Sequence, residues 1–130
     1  MVEIVVDYLG KLVIIFLGEL DGLLYALVIF VVLDYITGIC AAIQAKHLSS
    51  NIGAKGIAKK VAIFLVISVA HVADQYLVDS TDVLRSMTTL FYLSNDGISI
   101  FENIGKIGIP LPGKLNNLLS RFEDIKNQMK

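Results

Sequence analysis

Residues 23–43 read LLYALVIFVVLDYITGICAAI, a stretch in which Asp34 is the only charged residue. At about 1.5 Å per residue, a helix of this length crosses a hydrocarbon layer about 30 Å thick. The Leu, Ile, Val and Phe residues together favour insertion by roughly 4 to 7 kcal/mol, whereas a central aspartate costs about 3 kcal/mol. This stretch is therefore predicted to be a membrane-spanning helix.

The composition of the whole chain agrees with a membrane environment. Of its 130 residues, 55% are hydrophobic and 18% are charged, whereas soluble domains carry about 25% charged residues. The net charge of -1 argues against a nucleic-acid-binding protein, which would show a basic surface. The single cysteine, Cys40, lies in an apolar run, so we predict neither an intramolecular disulfide nor a thiolate metal site.

Two more stretches predict spanning helices. Residues 57–78 are largely apolar, and residues 83–104 are more polar because they include Asp96 near their middle, at a cost of about 3 kcal/mol to insertion. We therefore expect an all-α protein, a small integral membrane helical bundle. Its three spanning helices are expected at 23–43, 57–78 and 83–104, within a single membrane domain over residues 1–130.

Two further helices are predicted to flank these spans. The segment 1–20 is apolar but interrupted by Asp7 and Lys11, which suits either an interfacial helix or a fourth span. It lacks a basic start and a small-residue cleavage pattern, so no cleavable signal peptide is expected. Residues 113–130 carry Leu, Phe, Ile and Met at helical spacing and predict an amphipathic helix that lies on the membrane or packs on its neighbours.

The positions of the basic residues predict the orientation. Nine of the eleven Lys and Arg residues fall in or beside the segments after the first and third spans, and the positive-inside rule places that side in the cytoplasm. We therefore expect a multi-pass protein with a cytoplasmic C-terminus, and we assign Lys55, Lys59 and Lys60 to lipid headgroups. The basic residues on this side are Lys46, Lys55, Lys59, Lys60, Lys106, Lys114, Arg121, Lys126 and Lys130. The opposite loops contain Glu19, Asp21, Asp79 and Asp82.

A continuous polar stripe runs along the third predicted span. Its members succeed one another at steps of three or four residues, so they share one face of a helix. In lipid such a face must meet partner helices or water, because unpaired polar groups in hydrocarbon are costly. The stripe consists of Arg85, Thr88, Thr89, Tyr92, Asn95, Asp96, Ser99, Glu102, Asn103 and Lys106.

The first span offers a complementary face of polar and small residues. Asp34 and Thr37 lie on it, followed by the small residues Gly38, Ala41, Ala42 and Ala45, which let another helix backbone approach closely. Asp34 and Asp96 are both expected near the bilayer midplane. Such carboxylates either line a hydrated path or hold subunits together, or they form hydrogen bonds that stabilise the helices within one monomer.

The remaining polar residues predict no catalytic centre. His71 and Asp74 are three apart, a spacing that fits a metal pair or a proton relay, but a hydrogen-bonded structural histidine is the simpler interpretation. The glycine-containing segment 49–56 lacks the spacing of a phosphate-binding loop and is interpreted as a cytoplasmic turn. No nucleophile with an adjacent base is evident, so we expect neither an enzyme nor a cofactor, and no metal site.

The sequence resembles the toxin-secretion and phage-lysis holins of clostridia and related Gram-positive bacteria. The resemblance covers roughly residues 23–120. It departs at Asp96, where the family is expected to carry Glu more often. The matching residues are Asp34, Tyr35, Thr37, Gly38, Ser49, Ser50, Gly53, Gly56, Lys59, Lys60, Asp74, Phe91, Tyr92, Asn95, Asp96, Ser99, Ile100, Glu102, Asn103, Gly108, Pro110, Pro112 and Leu115.

The resemblance implies a protein that accumulates in the bacterial cytoplasmic membrane, forms homo-oligomers and opens lesions that release an endolysin or a toxin. Its partners would be the lipid bilayer, other copies of itself and, functionally, the released protein, with no nucleic acid involved. Two alternatives stay open. The chain could be a small selective ion or proton conductor that uses Asp34, His71, Asp74 and Asp96, or a membrane scaffold whose tail recruits a cytoplasmic partner.

Overall fold

The computed structural model describes residues 1–78 and 81–129, and the side chains of Phe122, Lys126 and Met129 are outside that description. Asp79 and Lys130, which the predicted orientation counts among the charges on the two sides of the membrane, also lie outside the described residues. The described chain is helical and contains no strand. Its helices are α1 (Val2–Leu17), α2 (Gly22–Gln44), α3 (Ser50–Val72), which a π-helical turn (Ala73–Leu77) continues, α4 (Val83–Ile107) and α5 (Gly113–Met129).

Two described helices are long and apolar enough to cross a membrane. They are α2, Gly22–Gln44, and the continuous helix formed by α3 and its π-helical turn, Ser50–Leu77. These correspond to the first two predicted spans. α1 has 16 residues and α4 carries the polar stripe, so the membrane positions of these two helices stay predictions.

The start of α3 differs from the prediction. The segment 50–56, predicted to be a loop turn, forms the first two helical turns of α3. The helix begins after the N-cap residue Ser49. The Ser49 hydroxyl accepts a hydrogen bond from the N–H of Ile52 at 3.2 Å. Gly53 and Gly56 permit close packing, since a Cβ on Gly56 would lie 3.2 Å from Cε2 of Tyr35 in α2. Their role is therefore to admit the Tyr35 ring against α3.

α2, α3 and α4 pack together through side chains spaced three and four residues apart. The most extensive contact joins α2 and α4. The paired positions run in the same direction along these two helices, so they are parallel, and α3 is antiparallel to both. The inward residues are Leu24, Leu27, Val31 and Asp34 on α2, Lys60, Ile67, His71 and Asp74 on α3 and its π-helical turn, and Arg85, Thr89, Tyr92, Asp96, Ser99 and Asn103 on α4.

The interior is layered along the helix axes. Leu24, Leu27, Val31 and Ile67 form an apolar core, and buried polar groups lie on both sides of it. An inner polar cluster of Asp34, Lys60, Asp96 and Asn103 lies towards the start of α3. An outer polar cluster of Asp21, His71, Asp74 and Arg85 lies towards the end of α3.

The π-helical turn sets where α4 begins. It contains Asp74, which is fully buried and accepts hydrogen bonds from the N–H groups of Leu84 at 3.0 Å and Arg85 at 2.8 Å. The first N–H groups of a helix have no partner within the helix, so a distant carboxylate serves here as the cap. The local N-cap residue, Asp82, has a left-handed φ of 93°, and within the described part of the chain its side chain makes no cap hydrogen bond.

α1 and α5 lie at the periphery. The C-terminal part of α1 packs against α3. Residues 1–11 are exposed, and most of them are apolar. α5 contacts α4, and a cavity of about 310 Å³ lies between them, lined by Leu115, Leu118 and Leu119 from α5 and by Phe30, Leu93 and Gly97 among others. The outward faces of α2 and α3 are also apolar, as expected for helices in contact with lipid.

Two glycines with positive φ provide a test of the loop between α1 and α2. Gly18 (φ 83°, ψ -175°) is in a region that only glycine adopts readily, and a Cβ there would lie 3.0 Å from Arg85 and His71. Gly108 (φ 102°, ψ 7°) has open space around it. We expect Gly108→Ala to lower the free energy of unfolding by about 1–2 kcal/mol through backbone strain alone.

Gly18→Ala should lower the free energy of unfolding by about 3 kcal/mol or more, because backbone strain is combined with displacement of the buried side chains of Arg85 and His71. Unfolding of both variants in mild detergent, followed by circular dichroism, measures the difference. Equal losses would show that the packing of Arg85 and His71 on Gly18 does not contribute to stability.

Candidate functional site

The inner polar cluster is built around one lysine. Nζ of Lys60, from α3, donates a hydrogen bond to Oδ2 of Asp34 on α2 and another, at 3.3 Å, to Oδ1 of Asp96 on α4. Asp34 and Asp96 expose only 7% and 3% of their surface. A single ammonium group therefore links the three packed helices at the level where α2 and α4 are midway along their length.

Asn103 fixes the second oxygen of Asp34. Its Nδ2 lies 3.2 Å from Oδ1 of Asp34 and 3.1 Å from Oγ1 of Thr37, so it donates to both α2 side chains. The hydroxyl of Thr37 donates in turn to the carbonyl of Leu33 at 2.8 Å. A Cβ on Gly38 would lie 3.6 Å from Nδ2 of Asn103, which shows how closely α4 approaches α2 here.

One carboxylate oxygen in this cluster is left without a protein partner. Oδ2 of Asp96 is buried and accepts no hydrogen bond among the described residues. A buried acceptor without a partner costs about 1–3 kcal/mol, and more when it is charged. The inner polar cluster is therefore held together by ion pairing but is not fully satisfied.

A cavity of about 240 Å³ adjoins the inner polar cluster. Asp34, Lys60, Ser99 and Asn103 form its polar wall, and Ile52, Gly56 and Lys59 line it near the start of α3. Lys59 is exposed and Lys60 is partly buried, so the cavity leads from the Lys60 ammonium group towards the end of the molecule where α3 starts.

The outer polar cluster is built around Arg85. Arg85 is 2% exposed. Its guanidinium donates from Nε to the carbonyl of Leu17 at 2.6 Å, from Nη2 to the carbonyl of Glu19 at 2.7 Å and from Nη1 to Oδ2 of Asp21 at 2.9 Å. Oδ1 of Asp21 also caps α2, accepting from the N–H of Leu24 at 2.9 Å. Arg85 thus ties the loop between α1 and α2 to the start of α4.

These contacts shift the ionisation of Asp21. Partial burial acts to raise its pKa, but the hydrogen bonds from Arg85 and Leu24 and the charge of the guanidinium outweigh burial, so the pKa of Asp21 is lowered. The ionised form of Asp21 is therefore the one that the folded protein favours.

His71 and Asp74 lie close to Arg85 but make different contacts. Asp74 caps α4, as described above, while the His71 ring packs on Gly18, and its buried Nδ1 has no hydrogen-bond partner among the described residues. The described residues contain no group of three His, Cys, Asp or Glu side chains arranged to hold a metal ion.

The structure brings most of the predicted stripe together and separates a few members. Arg85, Thr89 and Asp96 are buried, whereas Asn95 is exposed. The partly buried members are Thr88, Tyr92, Ser99, Glu102 and Asn103, and Lys106 is exposed. On the complementary face of α2, the partly buried residues are Thr37, Gly38, Ala41 and Ala42, and Ala45 is exposed. Glu102 lines a cavity shared with α5 and not the one beside Lys60.

The position of Lys60 differs from the role predicted from sequence. Lys55 and Lys59 are exposed, in keeping with a headgroup role, but Lys60 turns inward. The sequence signal for this inward position is the helical register, because Lys60 lies seven residues before Ile67 and so shares the inward face of α3. The adjacent Lys59 obscured that signal by making the pair resemble a cytoplasmic flank.

Comparison with known proteins then defines the family. The sequence model of the bacteriophage holin family matches residues 11–124. The chain belongs to the bacteriophage holin family. This confirms the resemblance identified in the sequence and makes the chain a holin-type membrane protein with transmembrane helices, linked to phage lysis.

Several relatives of this holin cover most of its length. A probable holin of Bacillus phage phi105 is 36% identical over 111 residues, which are 85% of this chain and 81% of the relative. An uncharacterized 14.9 kDa protein of Clostridium perfringens is 40% identical over 91% of this chain and 89% of its own length. An uncharacterized protein of Listeria monocytogenes is 42% identical over 82% and 75%, respectively. No solved structure matches the holin significantly.

Two neighbouring lysines allow a matched test of the inner polar cluster. Lys60→Met removes the cation from two buried carboxylates, and breaking a buried ion pair in this way costs about 3–5 kcal/mol of unfolding free energy. Lys59→Met makes the same chemical change at an exposed position and should stay within about 0.5 kcal/mol of the unsubstituted holin. Unfolding in detergent measures both, and equal effects would contradict the interior role of Lys60.

Asp21 allows a test by pH. Because its pKa is lowered in the folded protein, its contribution to stability should be fully present above the pKa of an unfolded aspartate, about 3.9. That contribution should decrease as the pH falls further, through the lowered pKa of the folded state. The difference in stability between the holin and Asp21→Asn should thus be constant near neutrality and shrink in acid. A difference that grows on acidification would contradict the pairing with Arg85.

Proposed function

We propose that this holin oligomerises in the bacterial cytoplasmic membrane and opens lesions through which an endolysin, or a toxin, leaves the cell. Membership of the holin family supports this proposal, as does the similarity to the probable holin of phage phi105. The observation that carries it is the inward orientation of the polar face of α4. In this proposal the described monomer is a closed form in which most of the groups that would line water, including Arg85, Asp96 and Asn103, are turned towards α2 and α3.

α4 acts in this proposal as the third spanning helix. It runs parallel to α2 and contacts it from the pairing of Asp21 with Arg85 at one end to the contact of Thr37 with Asn103 at the other. A helix packed in this way along a spanning helix lies at the same depth in the bilayer. Three crossings place α5 and its basic residues on the same side as the loop between α2 and α3, which the positive-inside rule assigns to the cytoplasm.

The polar face of α4 can exchange one set of partners for another. In the closed monomer its groups meet Asp34, Thr37 and Lys60, and in a lesion they would meet water. Both arrangements satisfy polar groups that lipid cannot, so the free-energy difference between them is smaller than the cost of exposing the stripe to hydrocarbon. Crowding of monomers then favours the open arrangement, in which polar faces of several copies line one aqueous lesion.

The conducting alternative receives less support from the structure. A selective path would need to join His71 and Asp74 to Asp34 and Asp96, but the apolar core of Leu24, Leu27, Val31 and Ile67 lies between the two polar clusters. Asp74 is also used to cap α4. The size of what crosses the membrane distinguishes the two functions, since a selective conductor releases ions but not folded protein from liposomes.

The proposal predicts the outcome of replacing Asp96. Asp96→Leu removes a carboxyl group from the stripe and leaves Lys60 paired with Asp34 alone, so it should favour the closed form. Inducible expression together with an endolysin, followed by culture turbidity and dye entry, should show lysis delayed several-fold or abolished.

Asp124→Leu serves as the matched control, because it makes the same substitution at an exposed position of α5. It should leave the time of lysis unchanged. Unchanged lysis in Asp96→Leu at equal membrane accumulation would count against the role of the α4 stripe.

A further inference from the structure

The charges of the inner polar cluster do not balance. Two buried carboxylates, Asp34 and Asp96, share one ammonium group, Lys60, so the fully ionised cluster carries a net charge of -1. An uncompensated charge within hydrocarbon depth costs several kcal/mol. One additional positive charge is needed to make the cluster neutral.

The hydrogen bonds indicate where that charge is missing. Asp34 is engaged at both oxygens, by Lys60 at Oδ2 and by Asn103 at Oδ1. Among the described residues, Asp96 is engaged only at Oδ1, and its buried Oδ2 has no partner. Asp34 and Asp96 contact the same ammonium group, Nζ of Lys60, so the two carboxyl groups lie close together. A hydrogen on Asp96 would turn the unpaired oxygen into a donor, with the neighbouring carboxylate of Asp34 as its acceptor.

We propose that the inner polar cluster is a binding site for one proton, held on the Asp34–Asp96 pair beside Lys60 and exchanged through the adjoining cavity. One carboxylate and one proton become one carboxylic acid, and the cluster then holds one acid, one carboxylate and one ammonium group with no net charge. Loss of the proton restores the charge of -1 and makes two carboxylates compete for Lys60.

The groups around the cluster set its response to pH. The titratable side chains that face it are Asp34 and Tyr35 from α2, Lys59 and Lys60 from α3, and Asp96 from α4. Lys59 is exposed at the mouth of the cavity, and Tyr35 donates to the carbonyl of Gly53 at 3.4 Å. The cavity reaches the start of α3, so protons would enter from the side that the proposed topology places in the cytoplasm.

This inference adds a ligand to the site described under the proposed function, and it is tested without lysis. The holin in lipid bilayers near neutral pH should show an infrared C=O band of a protonated carboxylic acid, which is separate from the carboxylate bands of the exposed acids. Asp96→Asn and Asp34→Asn each remove one carboxyl group and balance the charge of Lys60, so each should lose the band. Asp124→Asn, at an exposed position, should keep it.

The asparagine variants are close in shape to the protonated acid, so they should fold, and circular dichroism of each sample checks this. Transfer to D2O should shift the acid band to lower frequency if the cavity admits water. The proposal would be overturned if the unsubstituted holin shows no acid band, or if the band persists in both asparagine variants. It would also be overturned if added Na+ stabilises the folded holin by replacing the proton, so that the acid band disappears. Because no lesion is needed for the spectrum, a failed lysis experiment and a failed proton assignment are distinguishable.

Discussion

The contact of Lys60 with two buried carboxylates is the constraint on which the arrangement of the helices depends. Lys60 is ten residues from the start of α3, which places it about 15 Å along the helix. A lysine at that depth that faces neighbouring helices needs an anionic partner, and Asp34 and Asp96 supply one from each of the two other packed helices. The same contact fixes the rotation of all three helices about their axes, because each must direct one particular residue to a common point.

The details of packing follow from that common point. Asn103 reaches both Asp34 and Thr37 beside Gly38, where a Cβ would come into ordinary contact with Nδ2 of Asn103. The Tyr35 ring packs on α3 beside Gly56, where a Cβ would be tight against the ring. The small residues and the charged residues therefore serve one purpose. Close backbone approach shortens the distances over which the buried charges interact, and short distances are what make burial of charges tolerable.

Sequence reasoning found the elements that depend on a single helix and missed those that depend on contact between helices. The spans at 23–43 and 57–78 follow from apolar composition, and the α4 stripe follows from periodicity within one segment. The inward position of Lys60 and the helical start of 50–56 depend on Asp34, Asp96 and Tyr35, which are distant in sequence. The cap that Asp74 supplies to α4 was likewise hidden, because a carboxylate near a histidine also fits a metal site.

Each polar cluster has one buried atom without a hydrogen-bond partner among the described residues, Nδ1 of His71 in the outer cluster and Oδ2 of Asp96 in the inner one. The clusters differ in how many hydrogen bonds to the backbone hold α4, and this difference gives the proposed opening a direction. In the outer polar cluster Arg85 donates to Leu17, Glu19 and Asp21, and Asp74 accepts two N–H groups of α4. In the inner polar cluster the described residues offer no hydrogen bond to Oδ2 of Asp96, and a cavity adjoins Lys60. Separating α4 from α2 at the outer end would break directed hydrogen bonds to the backbone, which water replaces only after the loop has moved. Separation at the inner end would admit water through the adjoining cavity to groups that make fewer hydrogen bonds to the backbone. α4 is therefore expected to leave α2 first at the inner end, while Arg85 and Asp74 hold the other end in place.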